Sequence, residues 1–219
     1  MDASSPNPSS STGLSAAELH WVDEVLATTR SVRRNLDFER PLPREVLFEC
    51  IDLAVQAPTG LGGENWRFLV VDSPAQKSAI AEIYGRIMRR LMEARGLPLK
   101  PTHKALLEQL HNIPAMLFVC VDGEPSDDST SGQLGFYGSI LPAAWTLMLA
   151  LRARGVGSTW TSLLSAERDA VSEILGMPAG TTMTVMLPAG YTKGATLRRA
   201  ERLPAQEVTF HNNWGERYE

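Results

Sequence analysis

Residues 56–71 read Gln56-Ala57-Pro58-Thr59-Gly60-Leu61-Gly62-Gly63-Glu64-Asn65-Trp66-Arg67-Phe68-Leu69-Val70-Val71, and they decide the fold class. The residue before Pro58 is pushed out of helical geometry and the three glycines cannot hold a helix, so the chain must leave one regular element here. Residues 67–71 are short, apolar and partly β-branched, as in a buried strand. Upstream, Val46, Leu47, Cys50, Ile51 and Ala54 recur at helical spacing after Pro43, which suits a first turn. The unit is helix, glycine loop, strand.

The same alternation continues outward. Residues 14–30 predict a first helix with Ser15 as N-cap and Glu18 three positions on, a capping box, and with Leu19, Val22, Val25 and Leu26 on one face. Residues 74–95 predict a highly charged helix, broken by Gly96, Pro98 and Pro101 before a short helical piece over 102–111, and residues 85–111 are expected to form a lid. Residues 115–121 and 182–188 predict two more strands, and residues 166–175 a helix. Residues 133–151 carry no charge and approach membrane-spanning length, but Gly135, Gly138, Ser139 and Pro142 interrupt them; a buried central helix kinked at Pro142 is predicted, and no membrane span. Strands separated by helices imply a layered α/β or α+β sheet.

Composition narrows the function. A net charge of −4 leaves no broad basic surface for nucleic acid or an anionic membrane, so small-molecule ligands are expected. Cys50 and Cys120 sit in apolar runs and read as core thiols of a reducing, cytoplasmic compartment. Residues 1–13 lack a basic or apolar signal segment and are expected to be a disordered tail ahead of one domain over 14–219. The four histidines have no metal-ligand spacing, and no P-loop, Rossmann fingerprint or nucleophile elbow is present, so no metal, phosphate-loop or hydrolase chemistry is predicted.

Four segments carry groups suited to an anionic planar ligand. Arg30, Ser31 and Arg33 form a basic turn able to grip phosphate, although such a turn is ordinarily just solvated. Pro58, Thr59, Gly60, Glu64 and Asn65 form a loop that a ligand can approach closely, or a plain connection. Trp160, Thr161 and Ser162 follow Gly155 and Gly157, which serve equally well as a helix stop. Arg198, Arg199 and Arg202 make a second basic cluster.

Taken together these segments resemble the nitroreductase family of flavoproteins, especially the actinobacterial-type NAD(P)H nitroreductases. The resemblance runs from about residue 14 to the C-terminus and rests on Thr28-Thr29-Arg30-Ser31-Val32-Arg33, Gln56-Ala57-Pro58-Thr59-Gly60, residues 149–161, and Arg202-Leu203-Pro204-Ala205. It implies an α+β, three-layer α/β/α sandwich with a mixed, mainly antiparallel sheet, and a homodimer in which a C-terminal arm over 198–219, including Trp214, wraps the partner. It further implies FMN, with Arg30, Ser31, Arg33, Arg202 and Arg198 or Arg199 on the phosphate, ribityl chain and ring edge. Pro58, Thr59 and Gly60 would come from the other subunit, and backbone at Trp160, Thr161 and Ser162 would face flavin N5.

One departure stands out: Gly62 and Glu64 occupy positions where the family usually has Asn-x-Gln. Glu64 is expected to place a carboxylate by the ring and lower the flavin potential. The implied reaction is ping-pong hydride transfer from NADH or NADPH to a nitroaromatic or quinone, with Phe136 and Tyr137 lining the acceptor pocket. The same scaffold also admits a specialised dehydrogenase, a reductive dehalogenase or a non-catalytic flavin-binding protein.

Overall fold

The computed structural model describes residues 13–60, 63–126 and 129–218, so all but Gly13 of the tail expected over 1–13, and Gly62 of the departure, lie outside the described residues. The chain divides into two compact units, one comprising residues 29–196 and the other the first helix with residues 197–219.

The larger unit is built on four strands, β1 (Trp66–Val71), β2 (Ala115–Asp122), β3 (Val156–Ser158) and β4 (Thr181–Tyr191), in the order β1-β2-β4-β3. All three strand pairings are antiparallel, with Phe68 opposite Val119 and Leu117 opposite Leu187. The expected mixed sheet is therefore antiparallel among the described strands. The parallel element is a single bridge between Ser31 and Ser158. A bulge follows Val119, and the buried Thr184 hydroxyl beside it donates to Val119 O at 2.8 Å. That bond satisfies a carbonyl at the irregularity.

Strand alternation sends β2 side chains to two buried faces. Leu117, Val119 and Val121 meet Leu47, Cys50 and Ala54 of α2 (Arg44–Ala54) and Leu147, Met148 and Leu151 of α6 (Leu141–Ala153). Met116 and Phe118 point the other way and are fully buried. That second layer comprises α3 (Pro74–Ala94), which packs on α4 (Pro101–Gln109), on a 3-10 turn at Leu163–Glu167 and on α7 (Arg168–Leu175). Ile80, Ile83, Tyr84, Ile87 and Met88 of α3 are all buried, the last two within the segment expected as a lid. Both cysteines are buried free thiols, and burial pushes Cys120 up to about 12.

The uncharged stretch proves to be two helices. α5 (Thr130–Gly138) stops at Ser139, whose hydroxyl donates to Gly135 O at 2.7 Å, and α6 begins with Pro142 in its first turn. Proline has no N–H for the preceding turn, so the kink becomes a break. By length and composition Thr130–Ala153 could cross a bilayer, yet α6 buries Ala143, Ala144, Leu147, Met148, Ala150 and Leu151. α5 buries none of its residues, and Leu134 is 70% exposed.

In the smaller unit, α1 (Ala16–Thr28) opens with the predicted capping box: Ser15 N and Oγ donate to the Glu18 carboxylate at 2.8 and 2.6 Å. Those bonds hold the Glu18 carboxyl below its ordinary value. The C-terminal segment is less extended than expected. After α8 (Ala205–Val208) it folds back, with Asn212 and Gly215 at positive φ and Arg217 donating to Gln206 O and Thr209 O while lying over the Phe210 ring. Trp214 remains 92% exposed.

Candidate functional site

The basic turn is fixed through its middle residue. Val32 N donates to Ser158 O at 2.9 Å, and the buried Thr159 hydroxyl donates to Val32 O at 2.8 Å. Both backbone groups of Val32 are thereby spent on the β3 segment, while Ser31 and Arg33, on either side, stay partly exposed. Gly157 makes this approach possible, since a Cβ there would sit 3.0 Å from Val32 Cβ and 2.9 Å from Leu36 Cδ2. Arg30 donates to Thr29 O at 2.7 Å, whereas the Arg33 guanidinium forms no ion pair among the described residues.

The segment after β3 alternates in its use of the backbone. Thr159 N donates to Pro188 O and Thr161 N to Met186 O, both at 3.2 Å, so these two N–H groups belong to the sheet. Trp160 and Ser162 have no such backbone acceptor among the described residues. Of the three residues expected to offer N–H groups, the alternation leaves these two. Sequence reasoning missed the neighbour of this segment: Tyr84 of α3, 3% exposed, is buried close to the Thr161 hydroxyl. Burial pushes the Tyr84 phenol up, against the pull of Thr161 and of the nearby Arg33 charge. Arg86 and Arg90, two and six residues on, both pair with Glu167 and clamp α3 to the same region. Nothing in the primary pattern marks Tyr84, because a single tyrosine in an apolar helix face reads as packing.

The glycine loop lies elsewhere. Gly60 N donates to Ser139 Oγ at 2.9 Å, which ties the loop to the break between α5 and α6. A cavity of about 490 Å³ opens there, lined among others by Gly60, Asn65, Trp66, Asp122, Phe136 and Ser139. The Trp66 indole nitrogen is buried with no hydrogen-bond partner among the described residues. Glu64 is exposed and does not line this cavity, and its carbonyl accepts from Arg67. Pro58 and Thr59 precede the cavity without lining it. Phe136 and Tyr137 part company, because Phe136 faces this cavity while Tyr137 lines a separate one of about 410 Å³ with Arg168 and Met183. Arg198, Arg199 and Arg202 are in the smaller unit.

The described geometry therefore joins the turn to the segment at 158–162 and sets the glycine loop in a second place. The Nitroreductase family profile matches residues 26–191, which covers the sheet, the turn and the glycine loop. The chain belongs to the nitroreductase family. Within the wider group of relatives, iodotyrosine deiodinase 1 of Rattus norvegicus is 27% identical over 194 residues, 84% of this chain and 67% of that protein. The chain thus spans about two thirds of the deiodinase's length. The NADH dehydrogenase of Thermus thermophilus is 29% identical over 196 residues, 83% of this chain and 91% of the relative. Among solved structures, the NADPH:FMN oxidoreductase from Vibrio harveyi complexed with NAD+ superposes with a TM-score of 0.69 at 16% identity, covering 90% of this nitroreductase-family chain and 79% of the other. That likeness establishes the nitroreductase fold.

Proposed function

We propose that the chain is an FMN-dependent oxidoreductase that acts as a homodimer, taking hydride from NADH or NADPH and delivering electrons to a small acceptor such as a nitroaromatic or a quinone. The observation that carries this reading is the union of the Arg30–Ser31–Arg33 turn with the backbone at 158–162. It joins a turn whose Arg33 forms no ion pair among the described residues to a segment in which the Trp160 and Ser162 N–H groups have no backbone acceptor among them. FMN presents a phosphate dianion and a ring rich in acceptors, and this donor set fits it: Arg30, Ser31 and Arg33 for the phosphate and ring edge, Trp160 and Ser162 N–H for the ring. When bound, the flavin supplies the hydride chemistry, and the protein's part is binding, orientation and exclusion of water. Tyr84 and the Arg86, Arg90 and Glu167 cluster hold the 158–167 segment in register for that task.

The glycine loop is not part of this constellation within one chain, and a second copy is the natural source of Pro58, Thr59 and Gly60. Apolar surface supports that assembly. Phe48 and Leu53 on the outer face of α2, Leu134 of α5 and Trp145 of α6 are all exposed, apolar side chains that a second copy could cover. Arg198, Arg199, Arg202 and the arm that follows them would complete the phosphate contacts and the dimer.

The deiodinase relative favours one second reading, reductive removal of halide from an aromatic substrate. Anaerobic addition of NADH, then NADPH, to the FMN-loaded protein separates the two. Bleaching by a nicotinamide followed by reoxidation with a nitroaromatic or quinone supports the proposal. Bleaching only by dithionite, with halide release from a halophenol, supports the dehalogenase.

A further inference from the structure

Gly60 lies outside the left-handed region, so backbone conformation does not require glycine at this position. A neighbour 79 residues along the chain does. A Cβ at position 60 would sit 2.8 Å from Ser139 Oγ, closer than a methyl carbon and a hydroxyl oxygen approach one another. The sequence leaves this place bare for one hydroxyl.

That hydroxyl is bound on both sides. Ser139 Oγ donates to Gly135 O at 2.7 Å and accepts from Gly60 N at 2.9 Å. A hydroxyl has one proton to give, so the bond to Gly135 sets its direction and leaves a lone pair for the loop. Gly60 is held from its other end as well, because its carbonyl accepts from Gly63 N at 3.4 Å. Among the described residues, the Ser139 bond is the one hydrogen bond that ties residues 58–60 to another element. The helix that ends at this joint has little else to fix it. α5 buries none of its residues and carries Gly132, Gly135 and Gly138, each less favourable than alanine inside a helix. Gly60, Phe136 and Ser139 line the same cavity of about 490 Å³.

Resting on the reading of a flavin site shared between two copies, we propose that Ser139 is a positioning residue of that site. Its hydroxyl sets the place of Pro58, Thr59 and Gly60, and through them the contact that the loop makes with the flavin of the second copy. Exposure separates this role from stability. Gly60 is exposed, so water takes the place of the hydroxyl when Ser139 is truncated; the fold survives and the loop loses its fixed position.

The test uses the full chain with Ser139→Ala, Gly60→Ala, the double variant and Gly138→Ala. Gly138 is the control, because a Cβ there meets nothing within 4 Å and the residue does not line the cavity. Fluorescence titration gives FMN affinity, visible circular dichroism of the bound flavin reports the surroundings of its ring, and urea unfolding of the apoprotein reports the fold. One neutral hydrogen bond corresponds to about three- to tenfold in affinity. Ser139→Ala should weaken FMN binding by that factor and change the dichroism while the urea midpoint hardly moves. Gly60→Ala should do the same, because its Cβ displaces the Ser139 hydroxyl. The double variant should bind no more weakly than either single one, since the same joint is lost in all three and the close contact is gone. Gly138→Ala should stay within about twofold of wild type.

Losses that multiply in the double variant, an equal loss in Gly138→Ala, or a urea midpoint that falls along with FMN affinity would overturn the inference alone. So would a Ser139→Ala protein that binds as wild type while Gly60→Ala binds weakly. Unchanged affinity in Gly60→Ala and Ser139→Ala alike would remove the loop from the flavin, and with it the shared site. Failure of the wild-type protein to retain FMN would overturn the flavin reading and this inference together.

Discussion

Replacing Gly157 with alanine tests how the basic turn is held. The added Cβ would lie 2.9 Å from Leu36 Cδ2, 3.0 Å from Thr192 Cγ2 and 3.0 Å from Val32 Cβ. Two of these atoms end side chains and can yield, but Val32 Cβ is fixed by the backbone bonds to Ser158 and Thr159, so the turn itself must shift. Overpacking of this kind costs about 1–3 kcal/mol. For a domain of this size that is a fall in Tm of roughly 2–12 °C. A few tenths of an ångström at Val32 also misdirects Ser31 and Arg33, so FMN affinity should drop with stability. Gly176→Ala provides the comparison, because Gly176 caps α7 in the left-handed region at φ 62° and is remote from the turn. Alanine there costs about 1–2 kcal/mol of backbone strain. Thermal melts and flavin fluorescence titrations on both variants give the answer. Gly157→Ala should weaken FMN binding several-fold beyond Gly176→Ala at comparable stability. Equal FMN affinity in the two variants would refute the claim that β3 packing positions the turn.

Arg30→Ala and Arg202→Ala should each weaken FMN retention by about tenfold or more through loss of charge-assisted phosphate bonds, measured by equilibrium dialysis. Unchanged affinity in both would remove these residues from the cofactor. Glu167 has its pKa held below the carboxylate value by Arg86 first and Arg90 after. A depressed folded pKa gives stability that is present above the unfolded value and lost as pH falls through the folded one. Glu167→Gln should therefore lower Tm at neutral pH and flatten its decline in acid; a parallel decline in both proteins would mean that the cluster contributes nothing. Thr184→Val leaves Val119 O at the bulge without its donor and should cost about 1–3 kcal/mol in urea unfolding, with no change in m-value.

Elements whose signal is local were legible in the sequence. The Ser15–Glu18 capping box, the helix over Arg44–Ala54 and the strands at 66–71, 115–122 and 181–191 all follow from residue spacing and turn chemistry. β3 escaped because Val156, Gly157 and Ser158 are too few and too small to show a period, although burial of all three makes them the hinge of the site. The break between α5 and α6 was read as a kink because Pro142 alone does not say whether the preceding turn survives; Ser139 capping back to Gly135 decides it. Tyr84 was hidden for a different reason. Its burial close to Thr161 is a matter of packing across the fold, and no spacing along the chain encodes it. The basic turn and the glycine loop could be picked out as separate segments, but that only the turn joins the 158–162 backbone within one chain is a property of tertiary structure.

The proposed flavin site is completed by two copies of this chain. Sedimentation velocity of the FMN-loaded protein, recorded both at 280 nm and in the flavin band near roughly 450 nm, measures it directly. All bound flavin should sediment with a species of twice the chain mass, and dilution to monomer should release it. Flavin that stays with a sedimenting monomer, or a dimer that carries none, would contradict it.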